Sequence, residues 1–166
     1  MLSGETAMGR YPVEAVRTMA TLAIRAEASL YEYGYLQKVQ LNPANVITEA
    51  VGQAAATMAQ NLKAAAIFSL TETGFTSRLI SKHRPECPIL AVTSSRLVAR
   101  RLALNWGVIP VLYEGPRADE ARIAYGLKCA RERGYLRPRD VVIITAGYHQ
   151  HAGGTDSIRV IVVDES

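Results

Sequence analysis

Four short apolar runs alternate with segments long enough for a helix, and this alternation limits the possible folds more than any other feature. The runs span residues 65–70, 88–93, 108–113 and 140–145. This spacing is typical of parallel strands joined by right-handed crossover helices. A fifth run, 158–163, follows the fourth after a loop alone, so we expect it to lie antiparallel to its neighbour. The pattern predicts an α/β fold with three α/β/α layers.

The predicted sheet is mixed and has five strands. The simplest doubly wound arrangement places the fourth strand beside the first, which gives the order 3-2-1-4-5. The fourth run, DVVIIT, is highly apolar and is expected near the centre. Arg159 interrupts the fifth run, as an edge strand permits. Winding reverses between strands one and four, and ligands bind at such a point beyond the carboxyl ends of the strands.

Two helices are predicted before the first strand. One begins near Tyr11, with Pro12 in its first turn, and carries an apolar stripe. The other covers about 44–61, and alanines around 54–56 suit close packing against a sheet. The larger apolar residues of this second helix lie on one side, namely Ile47, Val51, Ala54, Met58 and Leu62. No run approaches the ~20 apolar residues of a transmembrane helix, and no secretory leader is recognisable, so neither a membrane nor secretion is expected.

Composition narrows the class of protein further. The chain has 166 residues, 49% hydrophobic and 20% charged, which suits a globular domain with a substantial core. The net charge of +4 comes from scattered arginines and not from a basic block, so no nucleic-acid partner is expected, and a phosphorylated small metabolite fits this charge equally well. Cys87 and Cys129 are far apart and are predicted to be free buried thiols in a reducing cytosol. His149 and His151 lack an evident third ligand, so no metal site is predicted.

The stretch from Ala65 to Arg84 reads as a strand, a loop and a helix. Hydroxyl side chains crowd the loop and the helix start: Thr71, Thr73, Thr76 and Ser77. We expect these hydroxyls and the first amides of the helix to face one small volume suited to an anion. Alternatively, they only cap the helix and Gly74 only serves the turn. Glu72 argues against an anion site unless its carboxylate points away.

A second loop, residues 146–157, leaves the fourth strand and is also rich in glycine and hydroxyl residues. Both loops leave the predicted switch point, which strengthens the prediction of a ligand site there. An ordinary flexible connection, whose glycines supply backbone freedom alone, is the alternative. The sequence contains no set of nucleophile, base and orienting residue, so the predicted pocket has no catalytic chemistry of its own.

Several motifs, taken in order, resemble the pyruvate kinase family over essentially the whole chain. MLSGETAMGRYPVEAV resembles the signature that ends the family's catalytic barrel. Five further motifs resemble successive parts of the family's C-terminal domain, namely TEAVGQAA, SLTETGFTSRLISKHRP, PILAVT, RRLALNWGV and DVVIITAG…GGT…IRV. The resemblance implies that residues 1–31 are the final helix segment of the barrel, 32–43 a linker and 44–166 the C-terminal domain. It also implies a five-stranded mixed sheet.

The resemblance implies a regulatory role for residues 44–166. In this family the domain binds a phosphorylated effector and contacts other subunits of a tetramer, here with strand 158–163 as a contact. Carried over by position, the first effector loop is Thr71, Glu72, Thr73, Gly74, Phe75 and Thr76, with Ser77 following. The second loop is Gly147–Thr155 and includes Gly153 and Gly154, while Arg122 stands where a second phosphate can bind. Phe75 stands at a position that is often Lys or Arg in family members that respond to fructose bisphosphate. Its lack of charge favours a monophosphorylated sugar or nucleotide over fructose bisphosphate.

The resemblance places the chemistry, phosphoryl transfer between phosphoenolpyruvate and ADP with Mg²⁺ and K⁺, in the barrel. Ser3 and Glu5 match the rim of that active site, without the catalytic lysine or the metal carboxylates. The chain alone is therefore expected to be inactive and to hold no cofactor of its own. A cytoplasmic glycolytic enzyme is implied for the intact protein. An oligomerising module with a vestigial phosphate site stays open as the alternative, because strand 158–163 offers an apolar edge.

Overall fold

A computed structural model describes residues 2–29, 43–147 and 154–164. The chain divides into two compact units, Met1–Val39 and Gln40–Ser166. In the first, helix α1 (Gly4–Ala7) precedes helix α2 (Pro12–Ala28), which has its proline in the first turn. No residue of α2 is buried, and its apolar side chains are exposed. The described part of this unit therefore contains an amphipathic helix but no hydrophobic core.

The second unit alternates helices and strands. A 3-10 turn (Pro43–Asn45) leads into the regular elements, which are α3 (Val46–Asn61), β1 (Ala66–Leu70), α4 (Phe75–Lys82), β2 (Ile89–Thr93), α5 (Arg96–Leu102), β3 (Val108–Leu112), α6 (Asp119–Glu132), β4 (Val141–Ala146) and β5 (Ser157–Val162). The sheet order is β3-β2-β1-β4-β5. All neighbouring strands are parallel except β4 and β5, which are antiparallel. The predicted fold class and strand order are confirmed.

The core lies on both faces of the sheet, because successive side chains of a strand point to opposite faces. Phe68 of β1 belongs to one apolar cluster, together with Leu90 and Ile144. Its neighbour Ile67 belongs to the other, which includes side chains of α3 and α4. All residues of β1 and β2 are buried, as expected for strands covered by helices on both sides.

Helix α3 packs through its small residues. Ala55, Ala56 and Ala59 are buried, which confirms the predicted alanine face. A Cβ atom added at Gly52 would lie 3.6 Å from the Cβ atom of Leu79 on α4, so the two helices approach closely. Ile47, by contrast, is 65% exposed. Leu62, just after the end of this helix, is 45% exposed. Large apolar side chains at both ends of the helix therefore lie outside the core.

Both cysteines are free, but only Cys129 is buried. Cys87 is half-buried, which corrects the prediction of two buried thiols. Burial is the main cause that raises the pKa of the Cys87 thiol to about 11. In the described ranges, no helix combines the length and the apolar character needed to cross a membrane.

Candidate functional site

The candidate site lies where the two loops of the predicted switch point leave the sheet. Strands β1 and β4 are parallel neighbours, with Phe68 opposite Ile144 and Ser69 opposite Thr145. Their carboxyl ends therefore lie side by side at one edge of the sheet. The loop that leads into α4 leaves the end of β1, and the chain that continues into Gly147 leaves the end of β4.

Glycine is required at the turn that starts α4. Gly74 has a φ of +77°, in the left-handed region that favours glycine. A Cβ atom added there would also lie 3.0 Å from the Cδ2 atom of Leu102. Thr71 Oγ1 accepts a hydrogen bond of 2.9 Å from the Gly74 amide, and Thr73 Oγ1 accepts one of 3.4 Å from the Phe75 amide. The oxygen atoms of both threonines therefore help to hold the turn, and their contact with a ligand stays a prediction.

The next two amides of α4 differ from these. Within residues 2–29, 43–147 and 154–164, the amides of Thr76 and Ser77 donate to no acceptor. They lie in the first turn of the helix, where the helix dipole is positive. The Ser77 hydroxyl donates to Ser69 Oγ at 3.0 Å and so is occupied inside the protein. An anion at this turn would be bound by backbone amides.

The two loops meet through a pair of threonines. Thr76 Oγ1 on α4 and Thr155 Oγ1, which precedes β5, form a hydrogen bond of 2.5 Å. The Thr155 carbonyl accepts a further bond of 3.1 Å from Thr48 Oγ1 on α3. All three side chains are buried. Three segments far apart in sequence thus converge on Thr155, and the expected convergence of the loops is observed at this contact.

The base of the second loop is narrow. A Cβ atom added at Gly147 would overlap the carbonyl oxygen of Gly154, so the two ends of the loop approach as closely as glycine allows. Gly153 and both histidines of this loop, His149 and His151, lie outside the described residues. Elsewhere, no group of three or more His, Cys, Asp or Glu side chains that could hold a metal ion exists among the residues that the structure describes.

An ionic cluster occupies the other side of the first loop. The guanidinium of Arg122, from α6, is buried and pairs with Glu72 Oε1 at 3.0 Å. It also donates to the Val92 carbonyl at 3.0 Å and lies 3.7 Å from Asp119 Oδ1. Glu72 Oε2 accepts a bond of 2.7 Å from Ser94 Oγ. The Arg122 side chain, expected at a second phosphate, is thus neutralised by carboxylates of the protein itself.

Sequence reasoning missed two residues of this region. Thr48 sits inside a helix, where a single threonine carries no signal of its own. Ser94 directly precedes Ser95, which caps α5 by accepting from the Val98 amide at 3.3 Å. The side chain of Ser94 instead holds the carboxylate of Glu72. The predicted strand order places the ends of β1 and β2 side by side, but it does not indicate which side chains of the two loops bond to each other.

The two residues matched to a barrel active site lie in the first unit. Glu5 Oε2 accepts a hydrogen bond of 3.1 Å from the Ser3 amide. The amides of Glu5 and Ser3 lower the pKa of this exposed carboxyl group. The contact is local to helix α1 and brings no further functional side chain beside the pair.

Known proteins resemble this chain along nearly its full length. It is 40% identical over 163 residues to the pyruvate kinase of Sporosarcina psychrophila, covering 98% of this chain and 28% of that protein. It is 42% identical over 163 residues to the pyruvate kinase of Lactococcus lactis, with 98% of this chain and 32% of that protein covered. Pyruvate kinase 2 of Synechocystis is 44% identical over 164 residues, with 98% and 27% covered. The chain thus spans about a third or less of the length of these relatives.

The family described as "Pyruvate kinase, alpha/beta domain" matches residues 49–161. This range contains every strand of the sheet, apart from the last residue of β5, and both loops of the candidate site. The family match therefore covers the same part of the chain that forms the mixed sheet and the two loops. The chain belongs to the pyruvate kinase alpha/beta domain family.

Proposed function

We propose that residues 44–166 form the regulatory domain of a pyruvate kinase and bind a phosphorylated effector between the loops 71–77 and 147–155. The observation that carries the proposal is the contact between Thr76 and Thr155, which brings both loops to the amides at the start of α4. Backbone amides at the positive end of a helix are suited to a phosphate group. The hydroxyls of the threonine pair are positioned to exchange their mutual bond for bonds to phosphate oxygens.

A single phosphate group suits this site better than two. Arg122 already has two carboxylate partners, Glu72 and Asp119, and the side chain of Phe75 brings no charge. A second phosphate would have to displace Glu72 from the guanidinium and leave this largely buried carboxylate, 23% exposed, without its partner beside an added anion. The effector class we propose is therefore a monophosphorylated sugar or a nucleoside monophosphate.

The proposed activity of the intact protein is transfer of a phosphoryl group between phosphoenolpyruvate and ADP, as a glycolytic enzyme of the cytoplasm. The relatives carry the name pyruvate kinase over a length at least three times that of this chain. Phosphoryl transfer requires positioned metal ions and cations, and the described residues offer no cluster of metal ligands. We therefore propose that Mg²⁺ and K⁺ belong to the rest of the enzyme, and that this chain alone does not catalyse the reaction.

Thermal protection tests effector binding. Glucose 6-phosphate, ribose 5-phosphate, AMP and fructose bisphosphate are each titrated against the melting temperature of the chain. A ligand present at a hundredfold excess over its Kd stabilises the native state by about 2.7 kcal/mol. We expect a monophosphate to raise the melting temperature by about 5–10 °C.

The Thr76→Val variant should abolish this protection, because valine keeps the shape of threonine without its hydroxyl. Thr57→Val is the matched control, since Thr57 is exposed on α3 and bonds only to its own helix. The control should retain full protection. Absence of protection by all four ligands, or equal protection of both variants, would refute the regulatory site.

A second candidate function is subunit assembly through β5. This strand pairs with β4 on one side only, and Val160 and Val162 are 40% and 59% exposed. An edge strand of this kind can pair with the same strand of a second copy. Light scattering should then show a dimer or larger species that a Val160→Lys variant converts to monomer. A wild-type monomer at high concentration would contradict this candidate.

A further inference from the structure

We propose that the groove between α4 and the segment that follows α5 is a second ligand site, which binds a nucleoside di- or triphosphate. The groove adjoins the candidate effector loops, and apart from Phe75 its lining side chains lie outside them. It has a volume of about 550 Å³, within the range of small-molecule sites. One wall is the outer side of α4, and the other is Leu104–Trp106.

A hydrogen bond inside the protein joins the two walls. Ser81 Oγ, on α4, donates to the Trp106 carbonyl at 2.7 Å. Both residues line the groove, so this bond sets the distance between its walls. A site whose walls are fixed before binding loses less conformational freedom when a ligand enters.

The groove is strongly cationic. Arg78, Lys82 and Arg84 contribute to its lining, and none of its lining side chains, all within the described ranges, is a carboxylate. Arg78 and Lys82 are one helical turn apart and share one side of α4. Glu49 Oε1 lies 3.8 Å from Lys82 Nζ, and the Lys82 side chain is still 53% exposed. Three cationic side chains around one groove favour a ligand with more than one phosphate group.

A flat surface lies next to these charges. The guanidinium of Arg84 sits 4.8 Å from the centroid of the Trp106 ring. Arg84 precedes a proline and has a φ of +49°, which is unfavourable for a residue with a side chain. Its amide donates to the Ser81 carbonyl at 3.1 Å, which helps to hold the turn. The turn thus keeps a planar cation on an indole ring, a surface on which a nucleobase can stack.

These two features select the ligand class together. An inorganic polyphosphate would use the cations but leave the stacked surface unused, and a nucleoside would do the reverse. A nucleoside di- or triphosphate matches both the charge and the planar surface. Since Arg78 and Lys82 are exposed to solvent, added salt should weaken binding.

Fluorescence offers a direct test, because Trp106 is the only tryptophan of the chain. ATP, ADP, adenosine and tripolyphosphate are titrated against the fluorescence of the full chain, with free tryptophan amide correcting for absorbance by adenine. We expect ATP and ADP to change the signal in a saturable way, and adenosine and tripolyphosphate each to bind more weakly than ATP. Equal affinity for tripolyphosphate and ATP would overturn the assignment of a nucleoside ligand.

Charge variants locate the site. Lys82→Gln and Arg78→Gln should each weaken ATP binding by about tenfold, the loss typical of one charge-assisted hydrogen bond. Lys128→Gln removes the same charge from α6, where Lys128 only approaches Glu132 at 3.9 Å, and should leave ATP affinity unchanged. Equal effects of Lys82→Gln and Lys128→Gln would indicate general attraction of polyanions and overturn the proposal.

The two proposed sites can be tested separately, because each has its own variant and its own readout. Thr76→Val should abolish protection by the effector monophosphate while leaving the ATP response of Trp106 intact. Loss of both responses in Thr76→Val would mean that ATP binds at the effector loops instead. No fluorescence response to ATP at millimolar concentrations would overturn the second site and leave the effector proposal untouched.

Discussion

Two regions at the carboxyl edge of the sheet, which we call the neutral corner and the ionic corner, bury polar groups in opposite ways. Between β1 and β4, neutral hydroxyls of Thr48, Thr76 and Thr155 bond to one another and to backbone. Between β1, β2 and α6, a buried arginine is matched by the carboxylate of Glu72. Neutral hydroxyls can exchange partners at small net cost, whereas a buried charge that loses its partner is strongly destabilising. The neutral corner is therefore suited to an exchangeable ligand and the ionic corner to a permanent internal contact.

The largest expected effect comes from removing the buried cation. Arg122→Leu should lower the free energy of unfolding by about 3 kcal/mol, because Glu72 loses its partner and the Val92 carbonyl loses a donor. Urea denaturation measures this loss. Arg100→Leu, at an exposed position of α5, is the control and should change stability by less than about 0.5 kcal/mol. Equal losses in the two variants would remove the distinction between the corners.

Glu72→Gln removes one negative charge from the ionic corner and keeps the shape of the side chain. Glu72→Gln keeps an acceptor for Ser94 but removes one negative charge from Arg122, so a loss of about 1–2 kcal/mol of stability is expected. The freed guanidinium should then favour a second phosphate, and affinity for fructose bisphosphate should rise more than affinity for glucose 6-phosphate. Glu114→Gln disrupts an exposed pair with Arg96 and should alter neither quantity appreciably. Calorimetric titration of both sugars decides the outcome.

A smaller effect tests the backbone of the neutral corner. Gly74→Ala and Gly107→Ala both place a side chain at positive φ, +77° and +66°, which costs about 1–2 kcal/mol. At Gly74 the added Cβ atom also meets Leu102, while at Gly107 nothing lies within 4 Å. Thermal unfolding should therefore show the larger loss for Gly74→Ala. Equal losses would mean that strain alone, and not contact with Leu102, fixes the glycine.

The smallest effect concerns the far end of α4. Burial is the main cause that lowers the pKa of His83 from its ordinary value of 6.5, with Glu49 opposing and Lys82 adding to the shift. The folded state therefore binds the proton less readily than the unfolded state does. Stability from neutral His83 is present above pH 6.5 and should be lost as the pH falls below that value towards the lowered pKa. Urea denaturation across this range should show a weaker pH dependence for His83→Gln than for the wild type.

Local sequence patterns predicted the elements and the sheet well. Apolar runs and the loops between them depend on neighbouring residues, so β1 to β5 fall within one or two residues of the predicted positions. The large apolar residues of α3 were less informative, because Ile47 is exposed while Ala55 and Ala59 face the sheet. Close packing of this helix selected small residues, and residue size alone did not indicate which side would be buried.

The site was predictable in place but not in its contacts. The switch-point rule located the loops at Thr71–Ser77 and after β4, because strand order follows from connectivity. The same threonines, however, could serve the turn or bind a ligand, and the structure shows that the oxygen atoms of Thr71 and Thr73 accept bonds from amides of the turn. No local pattern pairs Glu72 with Arg122, which lie fifty positions apart.

The amino-acid sequence by itself determined the alternation of strands and helices, the antiparallel last strand and the glycine-rich turns, because these depend on side-chain period and backbone freedom within short segments. Tertiary structure decided which polar groups were left available. Thr155 joined α4 to α3, Arg122 was taken by Glu72, and Trp106 came to lie beside the cations of α4. Such pairings bring together side chains from distant segments, and only the packed arrangement of helices on the sheet fixes their distances.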